Sequence, residues 1–320
     1  MVDNNSTDDT ATVARSLWPD DAPAPLRIVH EPLPGTGRAR QRGLAAARYE
    51  LLSIVDDDNW VAQNWVETVA TVMAEHPLAA VCGGPNQAVP ETEPPNWFVA
   101  GQHAYAVGPQ VDQDGDVTWP RGYLWGAGMT VRGSAWRRLL EQGFTQFLIG
   151  SVGKQRRSGE DVELCFALAL AGWRIHYDSR LRLQHFIPAY RLTPAYALTL
   201  YAQNGAANAL TQPYRSHLKQ LLAPTEARQA NGRDERWARQ VWLAAKATLR
   251  AQVRARRMHN SSPEAFVARL KAHERLHKWW SILSQRKTYF AIIRALDTAR
   301  WRTPIRAQAD HHESTHLASL

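Results

Sequence analysis

The pattern of apolar and polar positions predicts strands and helices in alternation over the first two thirds of the chain. Apolar runs predict strands at residues 26–30, 50–55, 79–83, 123–131, 174–177 and 181–185. Apolar positions at helical spacing predict helices at residues 37–48, 61–75, 134–141 and 160–170. Ser134 is a plausible N-cap for the third of these helices. Such alternation is typical of an α/β domain with a largely parallel sheet.

The run at residues 50–55 is almost entirely apolar, as expected of a strand buried on both faces, and it ends at Asp56, Asp57 and Asp58. Adjacent carboxylates repel one another, so the cluster needs either full solvation or a cation. Ligands of parallel α/β sheets bind beyond the carboxyl ends of the strands, and oxygen ligands suit Mg²⁺ or Mn²⁺. The pattern is compatible with a metal site and with a solvated acidic turn.

Other candidate side chains each allow two interpretations. Glu160 and Asp161 open a predicted helix, where acids can simply favour the helix dipole or act as a general base. His185, at a strand end, is either structural or a neutral metal ligand. Arg38 and Arg40, ahead of the aspartates, are either surface charges or phosphate partners.

The remaining segments differ in composition from the α/β pattern. Residues 85–122 are rich in Pro, Gly, Asn and Asp, which predicts a long loop with little regular structure. Beyond residue 193 only helices are predicted, and no apolar run is long enough to span a bilayer. The two cysteines, Cys82 and Cys165, do not form a Cys-x-x-Cys pair, which indicates a reducing, cytoplasmic environment.

The net charge of +8 is unevenly distributed. Residues 1–210 hold 17 Lys and Arg against 22 Asp and Glu, whereas residues 211–306 hold 21 against 6. Such asymmetry indicates an anionic partner, either a membrane surface or nucleic acid. No nucleic-acid-binding module is recognisable, so we expect no nucleic-acid partner.

Tryptophans lie among the basic residues of this C-terminal region. Trp237, Val241, Trp242 and Ala245 fall on one predicted helix face, and a second apolar group follows at residues 279–293. Basic amphipathic helices with Trp can lie in an anionic membrane interface, which predicts a peripheral position at the inner face of the membrane. The alternative is a helical bundle that packs on the α/β domain.

Five motifs in order resemble glycosyltransferase family 2, whose members have the GT-A fold, over about residues 2–205. They are residues 2–10, residues 34–43, Val55-Asp56-Asp57-Asp58-Asn59, Trp125-Gly126-Ala127-Gly128-Met129 and Gly159-Glu160-Asp161. Residues 185–193, which begin His185-Phe186-Ile187-Pro188 and include Arg191, are similar to a subgroup linked to bacterial surface-polysaccharide assembly.

The resemblance implies a GT-A type mixed sheet flanked by helices, and inverting transfer from a nucleoside diphosphate-sugar to a glycan or lipid-linked acceptor. It implies that a Mg²⁺ or Mn²⁺ ion is held by the DxD pair Asp56 and Asp58, with His185 assisting. Asp161 carries over as the catalytic base, with Glu160 beside it. The implied donor-binding residues are Asp3, Arg38, Arg40 and Asp57, and the implied acceptor segment is Trp125, Gly126, Ala127 and Gly128.

Two departures from the family pattern affect these expectations. Gln41 stands where the family usually has Asn. The chain also begins at the end of the family's second strand, so we expect the native start to lie upstream, or the first strand–helix–strand unit to be lost. In the second case the nucleotide-base pocket is incomplete and the protein is a catalytically impaired binding protein. The expected domains are residues 1–205 (catalytic), 206–306 (basic and helical) and 307–320 (a disordered tail).

Overall fold

A computed structural model describes residues 1–150, 159–222, 237–258 and 262–302, so the predicted tail at 307–320 lies outside the described residues. The strands are β1 Val2–Asp3, β2 Val29–His30, β3 Leu51–Ser53, β4 Asn59–Val61, β5 Ala79–Gly83, β6 Asn86–Pro90, β7 Gly115–Asp116, β8 Thr130–Arg132, β9 Arg174–Tyr177 and β10 Leu183–Ile187. The helices of the α/β part are α1 Thr10–Leu17, α2 Thr36–Ala46, α3 Trp65–Glu75, α4 Phe98–Gly101, α5 Gly133–Glu141 and α6 Glu160–Leu170. The helices that follow are α7 Pro194–Leu210, α8 Gln212–Leu222, α9 Trp237–Arg257, α10 Pro263–Ser284 and α11 Arg286–Asp297.

The described strands form three sheets. The central sheet has the order β3-β8-β5-β9-β7, a second has the order β4-β10-β6, and β1 pairs with β2. In the central sheet only β5 and β9 pair in parallel, and the other three pairs are antiparallel. The expectation of a largely parallel sheet is therefore wrong, and the mixed sheet implied by the family resemblance is confirmed.

Strand β3 also differs from its prediction, because it is an edge strand. One side pairs with β8, and no described strand pairs with the other side. Leu52 is buried, but Ser53 is exposed and Val55 is 44% exposed. The apolar run at 50–55 therefore does not form a strand buried on both faces, since a run of apolar letters does not report how many neighbouring strands cover it.

Several helices and strands have boundaries that differ from those predicted from the sequence. The helix predicted to begin at residue 61 begins at Trp65 instead, and Val61 is the last residue of β4. Within the predicted strand at 123–131 only the last residues pair, as part of β8. The predicted loop at 85–122 contains β6, α4 and β7. Ser134 lies inside the first turn of α5 rather than capping it, and its N–H and hydroxyl donate to Glu50.

The central sheet carries the main core on the face covered by α5 and α6. Helix α6 is buried along most of its length, since it packs against α5, β9 and α8. Leu168, Leu170 and Ile175 are fully buried in this cluster, which also includes Tyr214 of α8 and Ile292 of α11. The first turn of α6, where Glu160 and Asp161 lie, is thus held by a rigid core.

The C-terminal helices pack on the α/β part and on one another. Helix α10 runs along α7, and α9 packs on α10 through Ala251, Ala255 and Ala272. The predicted domain boundary at residue 205 stays a prediction, and it falls inside α7. No described helix is both long and apolar enough to cross a membrane.

Gly205 sets how closely α7 and α10 approach. A Cβ atom there would lie 2.1 Å from the carbonyl oxygen of Glu274, far inside contact distance. Because backbone rather than a flexible side chain stands in the way, neither helix can yield locally.

We expect Gly205→Ala to destabilise the protein by about 1–2 kcal/mol, the cost of forcing an extra methyl into a packed interface. In a helix without such a neighbour the same substitution would stabilise the protein by roughly 1 kcal/mol. The sign of the change in stability therefore shows whether α7 and α10 are in close contact at Gly205. Urea unfolding measures the difference, with Thr199→Ala, at an exposed position of the same helix, as the control. Unchanged or higher stability would contradict the close approach of the two helices.

Candidate active site

The turn between β3 and β4 carries the three aspartates, and strand pairing decides what lies beside it. Strand β4 pairs antiparallel with β10, with Asn59 opposite His185. The carbonyl oxygen of Asp58 accepts a hydrogen bond from the N–H of Phe186 at 2.8 Å. This pairing brings the imidazole of His185 to the carboxylate of Asp58, although the two residues are far apart in the sequence.

The carboxylate of Asp58 has three polar neighbours. Its Oδ2 lies 3.5 Å from Nε2 of His185 and accepts a hydrogen bond from Nη1 of Arg191 at 2.8 Å. Its Oδ1 accepts from the side chain of Asn59 at 2.9 Å. Burial alone would raise the pKa of Asp58, but His185 and Arg191 lower it overall, which keeps the carboxylate ionised.

The side chains around Asp58 include donor atoms that suit a divalent cation. Asp58 and His185 converge, and a carboxylate with an imidazole suits Mn²⁺. The Nδ1 atom of His185 is buried without a hydrogen-bond partner among the described residues, so Nε2 is the nitrogen that faces the site. Two protein ligands fit a cation whose remaining positions are taken by substrate phosphates and water.

Asp56 does not join these two ligands. Its carboxylate accepts hydrogen bonds from Nη2 of Arg40 at 3.2 and 3.3 Å. In the part of the chain that the structure describes, no group of three or more His, Cys, Asp or Glu is placed to hold a metal ion. The predicted ligand set of Asp56, Asp58 and His185 is therefore not assembled here, because an arginine already neutralises Asp56.

Arg40 joins two motifs that lie far apart in the sequence. Its Nη1 donates to Oε1 of Glu160 at 3.0 Å while its Nη2 holds Asp56. Burial alone would lower the pKa of the guanidinium, but Asp56, Glu160 and Asp161 raise it overall. Predicted as a phosphate partner, Arg40 is instead enclosed between two carboxylates, with its side chain only 17% exposed.

Glu160 depends on that arginine. The side chain is buried, and its Oε2 has no hydrogen-bond partner among the described residues. Burial and the neighbouring Asp161 raise the pKa of Glu160, opposed by Arg40 and by a hydrogen bond from Thr36. Glu160 is thus an ion-pair partner of Arg40, and its predicted catalytic role beside Asp161 stays a prediction.

Asp161 faces the predicted acceptor segment. Its Oδ2 accepts the N–H of Gly126 at 2.7 Å, and its Oδ1 accepts the N–H of Val162 at 2.8 Å. A Cβ on Gly126 would lie 2.5 Å from Nη1 of Arg40, so a side chain there would displace the guanidinium. Gly128, with φ +74°, donates its N–H to Ile54 at 3.0 Å and ties the segment to the end of β3.

The other predicted side chains lie around this centre. The backbone N–H of Trp125 donates to Gln110, and its ring contacts His103 edge to face. Ala127 is partly buried. Asp3 accepts the N–H of Ser6 and lies 3.5 Å from His30, and hydrogen bonds from Ser6 lower its pKa.

Two of the predicted donor-binding residues have no ion-pair partner. Asp57 is exposed and Arg38 is partly buried, and neither pairs with a charged group among residues 1–150, 159–222, 237–258 and 262–302. Their predicted roles towards the donor stay predictions.

Sequence reasoning did not identify Glu163 as part of the site. Its carboxylate is fully buried and accepts the N–H groups of Phe147 and Leu148 at 3.0 and 2.7 Å, as well as the hydroxyl of Tyr214. Burial raises the pKa of Glu163 to about 7. The available signal was its position in the apolar stripe of α6, where an acid needs internal partners.

Comparison with known proteins identifies the matching family. Residues 1–132 match the family model described as glycosyl transferase family 2. An uncharacterized glycosyltransferase of Mycobacterium bovis and two of Mycobacterium tuberculosis are each 45% identical over 58 residues, 18% of this chain. The match spans 23% of the length of these relatives.

Solved structures resemble the fold. A mannosyltransferase from Pyrobaculum calidifontis, in complex with GDP-Man and Mn²⁺, superposes with a TM-score of 0.50 at 17% identity, over 89% of this chain and 77% of that one. TarS residues 1–349 of S. aureus, in complex with UDP, gives a TM-score of 0.41 at 15% identity, over 89% and 81% of the two chains. The first likeness supports a GT-A fold.

We expect Arg40→Met to lower the free energy of unfolding by about 3–5 kcal/mol, because it leaves the buried Glu160 carboxylate without its cationic partner. The pKa of folded Glu160 should then rise further above its ordinary value of 4.5. The unfolded state ionises first, so the free energy of unfolding should fall as pH increases above 4.5.

Urea unfolding at pH 5 and pH 8 measures this effect. The double variant Arg40→Met with Glu160→Gln removes the unpaired carboxylate, so it should regain most of the lost stability and lose the pH dependence that Glu160 causes. A single variant as stable as the wild type at pH 8 would argue against the ion bridge.

Proposed function

We propose that this chain, whose residues 1–132 match the family model described as glycosyl transferase family 2, transfers a sugar from a nucleoside diphosphate-sugar to a hydroxyl acceptor. The acceptor is a polysaccharide or a lipid-linked glycan intermediate. The reaction inverts the anomeric configuration. The solved mannosyltransferase with GDP-Man and Mn²⁺ has the same fold, which makes a nucleotide-sugar donor a consistent choice.

The observation that carries the proposal is the convergence of three separated segments. Asp56 and Asp58 follow β3, Gly126 precedes β8, and Asp161 opens α6. Hydrogen bonds link them, through Arg40 on one side and through the Gly126 N–H on the other. The helix that carries the proposed base is thus tied to the aspartate turn through the Arg40 contacts with Glu160 and Asp56, and to the Gly126 segment through Asp161 itself.

In this proposal different residues bind the metal ion, the phosphate and the acceptor. Asp58 and His185 would hold a Mg²⁺ or Mn²⁺ ion, which acts when bound as a Lewis acid that stabilises the departing diphosphate. Arg191, on the same carboxylate oxygen, is placed to hold a phosphate oxygen as well. Trp125 and the glycines after it position the acceptor.

Asp161 is the general base in this scheme. It takes the proton from the acceptor hydroxyl, whose oxygen attacks the anomeric carbon from the side opposite the diphosphate. The Gly126 and Val162 N–H groups donate to the two carboxylate oxygens and orient the side chain. Nothing else in the first turn of α6 can replace it, since Glu160 and Glu163 are buried and partnered.

We expect Asp161→Asn to lower turnover by roughly 10²–10⁴-fold, the range of a lost general base, while nucleotide affinity stays within a few fold. Product formation from a panel of nucleotide-sugars with Mg²⁺, Mn²⁺ or chelator measures the first quantity. Calorimetric titration with the nucleoside diphosphate measures the second. Glu141→Gln, at an exposed position of α5, is the matched control, and full turnover by Asp161→Asn would reject the assignment.

We further propose that helix α9 brings the protein to an anionic membrane surface. The inner face of α9 is used for packing, since Thr248, Ala251 and Ala255 are buried against α10. The residues predicted from the sequence to share one face of this helix do not all lie on the same side. Trp237 turns inward to Phe290 and Arg286, whereas Trp242 points outward. The outer face carries large exposed apolar side chains, which are Trp242, Leu243, Leu249 and Val253.

In this proposal the positive charge of helix α9 favours anionic over zwitterionic lipid. Residues 237–258 hold six Lys and Arg and no acid, and Lys246 lies 4.8 Å from the ring of Trp242. A basic helix with outward Trp and Leu fits the headgroup boundary of an anionic bilayer. The same surface would bring the active site to a lipid-linked acceptor.

We expect the protein to co-sediment with vesicles of anionic and zwitterionic lipid mixed, and to stay in solution with purely zwitterionic vesicles. Arg250→Glu should weaken this binding roughly tenfold, because each basic residue near the surface contributes about 1 kcal/mol. Arg138→Glu, an exposed charge reversal on α5, should leave it unchanged. Equal losses in the two variants would indicate a net-charge effect and refute a role for the α9 surface.

A further inference from the structure

A groove lies along the sheet formed by β4, β10 and β6. It has a volume of about 620 Å³, within the range of small-molecule sites, and is open to solvent. Its apolar lining includes Val107 and Pro85, and its polar lining includes four glutamines, Gln63, Gln87, Gln102 and Gln184. Arg182 is its only charged lining residue among the described ones.

The register of the three strands creates a row of side chains across this groove. Gln184 of β10 lies opposite Trp60 of β4 on one side and opposite Gln87 of β6 on the other. Register partners project to the same face of a sheet, and all three residues are exposed. His185, the next residue along β10, projects to the opposite face, where Asp58 lies.

Trp60 forms a preordered flat surface at one end of this row. Its side chain is 51% exposed, which is unusual for so large an apolar ring next to a regular strand pair. The ring of Phe186 contacts it edge to face at 5.9 Å, which limits its rotation. An ordered, exposed indole has an apolar face available to a ligand.

The glutamine amides are available too. The side chains of Gln63, Gln87, Gln102 and Gln184 form no hydrogen bond to a residue that the structure describes. Each amide offers two donor hydrogens and an acceptor oxygen. Four free amides beside one aromatic ring, in a groove with a single charge, match a neutral ligand that has apolar C–H faces and many hydroxyl groups.

A carbohydrate chain has this chemistry, because a sugar ring presents C–H groups on its face and hydroxyls around its edge. We propose that the groove of Trp60 and the four glutamines is a binding site for a neutral oligosaccharide, the grown end of the acceptor chain. This identity of the ligand as acceptor rests on the proposed transferase function, but binding of the oligosaccharide does not.

The position of the groove agrees with this role. Trp60 follows Asp58 by two residues, and Gln184 directly precedes His185, so the groove and the candidate metal ligands share β4 and β10. The two sites lie on opposite faces of one small sheet. A chain that passes the edge of this sheet can contact the groove while its end reaches the active site.

The test is ¹⁹F NMR of the full chain labelled with 5-fluorotryptophan. The chain has 13 tryptophans, and the Trp60 resonance is the one that disappears in Trp60→Phe. The probes are neutral hexasaccharides of glucose, mannose and N-acetylglucosamine, with the corresponding monosaccharides for comparison. We expect at least one hexasaccharide to shift the Trp60 resonance saturably, and its monosaccharide not to do so at equal concentration.

Variants of the row separate specific binding from general exposure. Gln87→Ala and Gln102→Ala should weaken binding of that hexasaccharide roughly three- to tenfold, the size of one or two lost hydrogen bonds. Gln113→Ala, an exposed glutamine outside the groove, should not change it. The Trp280 resonance, from an exposed indole on α10, should not move.

The inference is overturned if no hexasaccharide shifts the Trp60 resonance, or if the shift persists unchanged in both glutamine variants. Turnover of nucleotide-sugars is measured separately in the same preparations. Oligosaccharide binding without turnover would contradict the transferase proposal and support the groove as a binding site. Turnover without oligosaccharide binding would support the transferase proposal and contradict the groove as a binding site.

Discussion

A single buried arginine connects the parts of this active site. Arg40 is enclosed between Asp56, which ends the aspartate strand, and Glu160, which opens the helix of the candidate base. Burying a charge is costly unless it is paired, so Arg40 and Glu160 stabilise each other, and Asp56, whose side chain is 39% exposed, is a second partner of the arginine. The position of Asp161 therefore depends on an ion bridge whose members are not themselves reacting groups.

The same bridge explains the glycine beside it. Gly126 lies between the guanidinium and the Asp161 carboxylate, and a side chain there would displace the guanidinium. The acceptor segment is thereby held against α6 through its backbone, which leaves its side chains free for other contacts. Glu163, one turn further along the helix, anchors the segment before α6 through the N–H groups of Phe147 and Leu148. Helix α6 organises the site through its acids, and each acid has a different role.

Strand β10 links two functions through its alternation. His185 faces Asp58, whereas Gln184 faces the groove that contains Trp60. Successive side chains of a strand point to opposite faces, so a single strand can present both the candidate metal ligand and the proposed carbohydrate surface. The basic helices beyond residue 193 are similarly two-sided, with small residues packed inward and Trp242 and Leu249 outward.

Motif order and spacing in the sequence were sufficient for the family whose model matches residues 1–132, the α/β class, and the limits of α6 and β9, whereas the roles of Asp58, His185 and Asp161 stay predictions. These features follow from local periodicity and from residue types that few other chemistries use. The sequence could not decide which strand lies at the sheet edge, that residues 59–61 extend β10's sheet, or that Arg40 pairs with carboxylates rather than phosphates. Those outcomes depend on strand register and on contacts between segments 16 to 120 residues apart, which only the tertiary structure brings within hydrogen-bonding distance.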